Sequence, residues 1–331
     1  MRVVAHEVCQ PVKYPLKPGR RKNGAEPKEV RKEIGLTKDI ANLYLHGLER
    51  RWGLNTLCGI TTAPVLKDDG SIRIASGYDR ESGLWCHDIP DLILPDRPTE
   101  SDARDALQGL RHFFRTFPYA DSDRTTEEFE IDGEKVSVEV VNLDQPPGLD
   151  ESKFLVRIMT AVCRQSLELA PGLLVRAPEI SGAGTGKGLG VKAACIIGSG
   201  AKPEAFTGGQ DSEELDKRLT SALIQAGPTI FLDNHNAKQL QSDIIASALT
   251  ENPIMVRPMG HSKMVPLHTR AFVAVTGNAV EISEDLARRF IVSNFDARVE
   301  DPESRKFKEG FIESVFADRA TLLAEALTIW R

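Results

Sequence analysis

Residues 181 to 188 read S-G-A-G-T-G-K-G. Alternate glycines closing on Gly-Lys leave a stretch of backbone bare of side chains. Its surroundings narrow the fold further, because an apolar strand at Leu173 to Ala177 precedes it and K-G-L-G-V-K-A-A-C-I-I-G follows as a helix. Strand, glycine loop and helix in that order predict an α/β domain with a parallel sheet flanked by helices. The backbone N–H groups of Gly184 to Lys187 are then expected to converge on a β-phosphate, aided by the positive end of the helix, with Lys187 reaching the β and γ oxygens. The candidate nucleotide-binding residues are Gly182, Ala183, Gly184, Thr185, Gly186, Lys187, Gly188 and Leu189. Such loops usually place a Ser or Thr hydroxyl for Mg²⁺ after the lysine, and this chain has Gly188 there.

Three further segments carry chemistry in a suggestive order. P-T-I-F-L-D-N-H-N ends a strand at Asp233, where a carboxylate can hold Mg²⁺ beside the loop. The next position often carries a second acid that orients water, and here it is Asn234. R-A-F-V-A-V-T-G-N is another apolar strand whose terminal Asn278 can fix the attacking water or touch the γ-phosphate. E-D-L-A-R-R-F-I-V then places Arg288 and Arg289 at the end of a short helix. An arginine there can stabilise transition-state charge in a neighbouring subunit's site. Surface ion pairing is the alternative role for both.

In combination, these segments resemble the superfamily 3 helicases within the AAA+ ATPases, and more narrowly the primase-associated helicase-like ATPases of phages and integrated mobile elements. D-N-H-N, A-L-T-E-N, R-P-M-G-H-S, V-T-G-N, D-L-A-R-R and D-P-E-S-R-K-F carry the resemblance from about residue 171 onward, and A-P-V-L-K-D-D-G and G-Y-D-R-E-S-G-L extend it toward the N-terminus. The resemblance implies ATP and Mg²⁺ as ligands, single-stranded DNA as partner, assembly into a ring, expected as a hexamer, and association with a primase. It also gives E-N-P-I-M-V-R-P-M-G-H-S-K-M-V-P-L-H-T a meaning as a hairpin turning at Gly260 to Ser262. His261 and Lys263, with Ser262, are the implied tip contacts to DNA, and Arg257 lies on the stem. A Lys or protonated His pairs with phosphate without reading sequence; a solvated surface hairpin is the plain alternative. A nucleotide-binding scaffold with little hydrolysis, and an ATPase acting on a protein partner in a defence or regulatory system, are the competing functions.

The remainder of the chain sets limits. Its 331 residues, 41% hydrophobic and 27% charged, suit a globular protein, and no apolar run reaches the roughly 20 residues of a membrane span. A cytoplasmic location is expected. The net charge of −6 argues against a protein coated in positive charge and leaves room for a local basic lining; Lys17, Arg20, Arg21, Lys22, Lys28, Arg31 and Lys32 crowd one early segment, read as a solvated stretch with a nucleic-acid contact as the alternative. Cys9, Cys58, Cys86, Cys163 and Cys195 are scattered, without a C-x-x-C pair, and are expected to be reduced. A helix is expected from Thr37 to Arg51, an antiparallel meander from Ala63 to Asp88, a helix over D-A-R-D-A-L-Q-G-L-R-H-F-F, and a hairpin turning at Asp132-Gly133. L-D-Q-P-P-G-L-D, 143 to 150, interrupts both periodicities, so a smaller α+β domain is expected over 1–150 and the ATPase domain over 151–331. The closing L-T-I-W-R reads as a helix cut short, as in a piece of a longer polypeptide.

Overall fold

The computed structural model describes residues 12–13, 32–33, 38, 55, 57–206, 212–225, 227–235, 239–260, 262–305, 307 and 309–331. The chain divides into two compact units, Met1–Thr56 and Leu57–Arg331. In the first, Val12–Lys13 pairs antiparallel with Lys32–Glu33. Nearly all of the expected helix from Thr37 to Arg51, and the basic segment apart from Lys32, lie outside the described residues.

In the second unit, two small sheets precede helix α1 (Glu100–Phe114). Their tight turns fall at Gly70 and Gly83, both at positive φ as the sequence required. They do not form one meander: Val65–Leu66 pairs with Ile72–Arg73, while Leu84–Cys86 lies antiparallel to Gly77–Tyr78 and parallel to Gly59–Thr61. The expected hairpin follows as β1 (Arg124–Ile131) and β2 (Glu134–Val141), with Asp132 and Gly133 both at positive φ in the turn.

Next come α2 (Leu149–Cys163), β3 (Gly172–Ala177), α3 (Lys187–Ser199), β4 (Ala205–Phe206), α4 (Ser212–Ile224) and β5 (Thr229–Leu232). After α5 (Asp243–Thr250), a hairpin forms from β6 (Ile254–Val256) and β7 (Val265–Leu267). The chain continues through β8 (Phe272–Asn278), α6 (Glu284–Ala287), β9 (Phe290–Asn294) and α7 (Arg319–Trp330).

Five strands make the central parallel sheet, in the order β4, β5, β8, β3, β9. Alternation along each strand sends side chains to opposite faces. Leu173, Val175, Phe231, Phe272 and Ala274 therefore join one core with residues of α2, α3 and α7, while Leu174, Ile230, Leu232, Val273 and Val275 join another with residues of α4 and α5. Burial on both faces explains why these strands read as unbroken apolar runs. Segment 143–150 joins β2 to α2 inside this unit. Aromatic rings from both sides of it meet: Phe114 lies 5.1 Å and Phe117 5.5 Å from Phe154, and Tyr119 lies 5.4 Å from Phe295, centroid to centroid.

Candidate nucleotide site

The carboxyl ends of β3, β5 and β8 bring the chemistry together. From Ala177 the chain turns through the glycine loop into α3, which begins at Lys187 with Gly186 as its cap. Gly184 and Gly186 adopt φ of +67° and +85°, a region that side chains with a Cβ rarely enter. Gly182 is needed for space instead. A Cβ there would lie 2.2 Å from the Pro178 carbonyl oxygen and 2.4 Å from Asn278 Oδ1. The first-turn N–H groups of α3 have no intrahelical acceptor, which leaves this end of the helix suited to an anion.

Lys187 is half-buried, and its ammonium folds back onto neutral oxygens. It donates to the Gly182 carbonyl in a short hydrogen bond and to Thr185 Oγ1 at 3.2 Å. Burial lowers its pKa to about 8, against the opposing pull of the Asp233 carboxylate. Thr185, itself buried, donates to the same Gly182 carbonyl at 2.9 Å. Ala183, Gly184 and Leu189 are exposed.

Asp233 stands at the end of β5, one strand removed from the loop strand, because β8 lies between them. It nevertheless reaches the start of α3. A Cβ on Gly188 would lie 3.3 and 3.4 Å from the two Asp233 carboxylate oxygens, so position 188 opens directly onto the acid. Thr276 Oγ1 donates to Asp233 Oδ1 at 2.6 Å and accepts from the Asn234 N–H at 2.9 Å. Thr276 was legible in V-T-G-N: it lies two residues before Asn278, on the same face of the strand. Asn234 itself is exposed, at φ +55°. Asn278, at the end of β8, holds its Oδ1 buried without a hydrogen-bond partner, against Gly182.

Two neighbours of this site went unnoticed in the sequence. His235 is buried beside β8, where its N–H donates to the Thr276 carbonyl at 2.7 Å and burial lowers its ring pKa. Glu303 packs on Gly184 from the short turn Pro302–Ser304. Neither residue type forms a pattern with the loop that spacing would expose.

Arg288 and Arg289 are placed elsewhere. They precede β9, whose first residue Phe290 is paired with Gly172, the first residue of β3. The loop leaves β3 at its other end, roughly 17 Å away at about 3.3 Å per residue. Both arginines pair with Asp285, Arg288 at 3.3 Å with its side chain 77% exposed, and Arg289 in a shorter contact. They lie away from the loop of their own chain.

The hairpin that the resemblance implied forms, with Ile254 opposite Leu267 and Val256 opposite Val265. Arg257, Ser262 and Lys263 are exposed around the turn, and Gly260 supplies a positive φ of +75°. His261 lies outside the described residues. Met259 is 77% exposed at the same turn.

Among the described residues, no cluster of three His, Cys, Asp or Glu side chains could hold a metal, and no helix is long and apolar enough to cross a membrane. Cys58 is exposed and unpaired, and Cys86, Cys163 and Cys195 are buried and unpaired.

No family model matches the chain, and no curated protein matches it. A similar solved structure is the A-form apo structure of the NrS-1 C-terminal region, at 13% identity and a TM-score of 0.34. The alignment covers 62% of this chain, which spans about half, 52%, of that one.

Proposed function

We propose that the second unit is an AAA+ ATPase of superfamily 3 type that binds ATP and Mg²⁺ at the 182–189 loop and drives movement along single-stranded DNA during replication of a phage or mobile element. The observation that carries this reading is the convergence of Lys187, Asp233 and Asn278 at one edge of the sheet. The donor set suits a triphosphate. Lys187 is held only by neutral oxygens and can turn to a phosphate, and the amide of Asn278 has an unused buried oxygen that can accept a hydrogen bond from water. Asp233 would hold Mg²⁺, with water replacing the hydroxyl that Gly188 lacks, since Mg²⁺ needs few protein ligands. Mg²⁺ there would neutralise charge on the β and γ oxygens.

In hydrolysis, a water oxygen bonds to the γ-phosphorus, the bond to the bridging oxygen breaks, and ADP and phosphate leave with release of a proton. Lys187 and an arginine from the next subunit would stabilise charge on the transferring group, and Asn278 would orient the water. Asn234 cannot take the water's proton, so turnover is slow. The position of Arg288 and Arg289, remote from their own loop, supports a site completed by a second subunit in a ring, expected as a hexamer. The hairpin would face the strand of DNA with Arg257, His261, Ser262 and Lys263. A primase is the expected replication partner.

The absence of a base at Asn234 favours a second reading, a nucleotide-binding scaffold with little hydrolysis. Measuring ATP hydrolysis with and without single-stranded DNA separates the two. Stimulation by DNA is expected. Tight ATP binding with no turnover in either condition leaves the scaffold, and turnover indifferent to DNA leaves an ATPase that acts on a protein partner.

A further inference from the structure

The opposite edge of the sheet contains a pocket with no part in the proposed nucleotide site. Its volume is about 270 Å³, and it lies among the strand Gly59–Thr61, the carboxyl ends of α2 and α3, the first residues of β5 and β8, and the connector His268 to Ala271. Four basic side chains line it: His87, Arg164, His268 and Arg270. No Asp or Glu does, although the chain has 48 acidic residues against 42 Lys and Arg.

The two arginines are fixed but not neutralised. Arg164, 3% exposed, donates from Nε to the Ala271 carbonyl at 3.0 Å and from Nη1 to the Leu167 carbonyl at 2.7 Å. Arg270 Nη1 donates to the Gln165 carbonyl in a short bond. Carbonyl oxygens satisfy donors and orient the guanidinium planes, yet they carry no net charge. Among the described residues neither arginine has a carboxylate partner. Burial and the neighbouring charge of Arg270 bring the Arg164 pKa down to about 10. Two like charges in a half-closed pocket repel each other unless an anion joins them.

We propose that this pocket binds a phosphate group between Arg164 and Arg270. Carbonyls hold Nε and Nη1 of Arg164 and Nη1 of Arg270, which leaves the Nε and Nη2 edge of Arg270 for two phosphate oxygens and Nη2 of Arg164 for a third; a phosphate monoester dianion balances both arginines, and a backbone diester balances one. The volume admits the group with a small attachment and falls below that of a drug-sized site. The phosphate can come from a small phosphorylated compound or from a nucleic-acid backbone, because His268 and Arg270 follow directly on the hairpin strand β7.

Cys58 lines the pocket and is exposed, whereas Cys86, Cys163 and Cys195 are buried, so the pocket carries its own reporter. The test uses the full chain with Lys187→Ala, which silences the phosphate loop, and follows alkylation of the Cys58 peptide by mass spectrometry. Inorganic phosphate and oligothymidylate are the two probes, against sodium chloride at matched ionic strength. Saturable slowing of about fivefold or more by at least one probe is expected, as occupancy excludes the reagent. Slowing by phosphate assigns a small-molecule source, and slowing by oligothymidylate alone assigns a strand. Arg270→Gln should abolish the protection while thermal unfolding confirms a folded chain. If that variant does not fold, Arg270→Lys keeps the charge without the fork and should weaken protection about tenfold. No protection by either probe, or protection unchanged in a folded Arg270 variant, overturns the proposal.

Discussion

In the proposed reading the glycine loop and the β6–β7 hairpin both offer cations to phosphate, but on different terms. At the loop, Lys187 is half-buried and bonded to Gly182 and Thr185, with Asp233 nearby and Asn278 pressed against Gly182. At the hairpin, Arg257 and Lys263 are exposed, and a Cβ on Gly260 would meet nothing within 4 Å. A cation in a partly desolvated site acts through a low local dielectric, while one in solvent is screened. The loop should therefore hold its ligand through a few strong contacts, and the hairpin through many weak ones.

Lys187→Ala breaks the loop most completely. A nucleotide affinity about 100-fold weaker is expected in calorimetry, on the scale of one lost charge-assisted contact of roughly 3 kcal/mol. The same change at Lys263 should leave ATP binding alone. If Lys187→Ala bound ATP as tightly as the parent, the loop would not be a phosphate site.

The two glycines test packing in the same way. Gly182→Ala forces a methyl into Pro178 and Asn278, and should cost about 1–3 kcal/mol in denaturant unfolding as well as nucleotide affinity. Gly260→Ala meets no neighbour, and its cost of about 1–2 kcal/mol comes from the left-handed backbone alone, with ATP affinity unchanged. Equal losses of ATP affinity in the two variants would remove the distinction between the regions.

pH separates them as well. Lys187 without nucleotide has a pKa of about 8, below its ordinary 10.5, so above that pH the free protein must take up a proton to present an ammonium to phosphate. ATP affinity should fall by up to about tenfold per pH unit above 8. The same depressed pKa means that the unfolded chain binds more protons between pH 8 and 10.5, so this lysine makes stability rise with pH across that window. An ATP affinity flat from pH 7 to 9.5 would show that Lys187 keeps its proton in the free protein.

The smallest expected effect belongs to the hairpin. Arg257→Ala and Lys263→Ala should each weaken single-stranded DNA binding severalfold at low salt and reduce the log–log salt slope by about 0.7. Stability should stay within about 0.5 kcal/mol of the parent, as for other exposed positions. DNA affinity unchanged in the double variant would take the hairpin out of the DNA interface.

What the sequence disclosed follows from locality. The loop, its strand and its helix lie within one continuous segment, so spacing alone specified them, and the hairpin at Asp132-Gly133 carried its turn in the same way, while the one at Gly260 took its meaning from the resemblance. Asp233 and Asn278 were legible as polar ends of apolar strands. That β8 lies between β3 and β5, and that Thr276 holds Asp233, depends on pairing across the sheet, which no local pattern encodes. The prolines of 143–150 looked like a boundary because they stop periodicity. The aromatic cluster joining Phe114, Phe117 and Phe154 across that segment depends on contacts far apart in sequence. The arginine pocket was invisible for the same reason, its lining running from Cys58 to Phe272.

Strand β8 has a mechanical consequence. It connects the hairpin side of the sheet to Asn278, and it is laced on both flanks, to β3 from Leu173 to Ala177 and to β5 from Thr229 to Leu232. Sliding it along its axis would break both ladders at once, so it transmits position as a rigid beam. Bending is left to the connector from His268 to Ala271, and that joint is pinned by Arg164 on Ala271 and by Arg270 on Gln165. A hairpin displaced relative to the sheet would thus have to bend that pinned joint or carry the whole sheet with it.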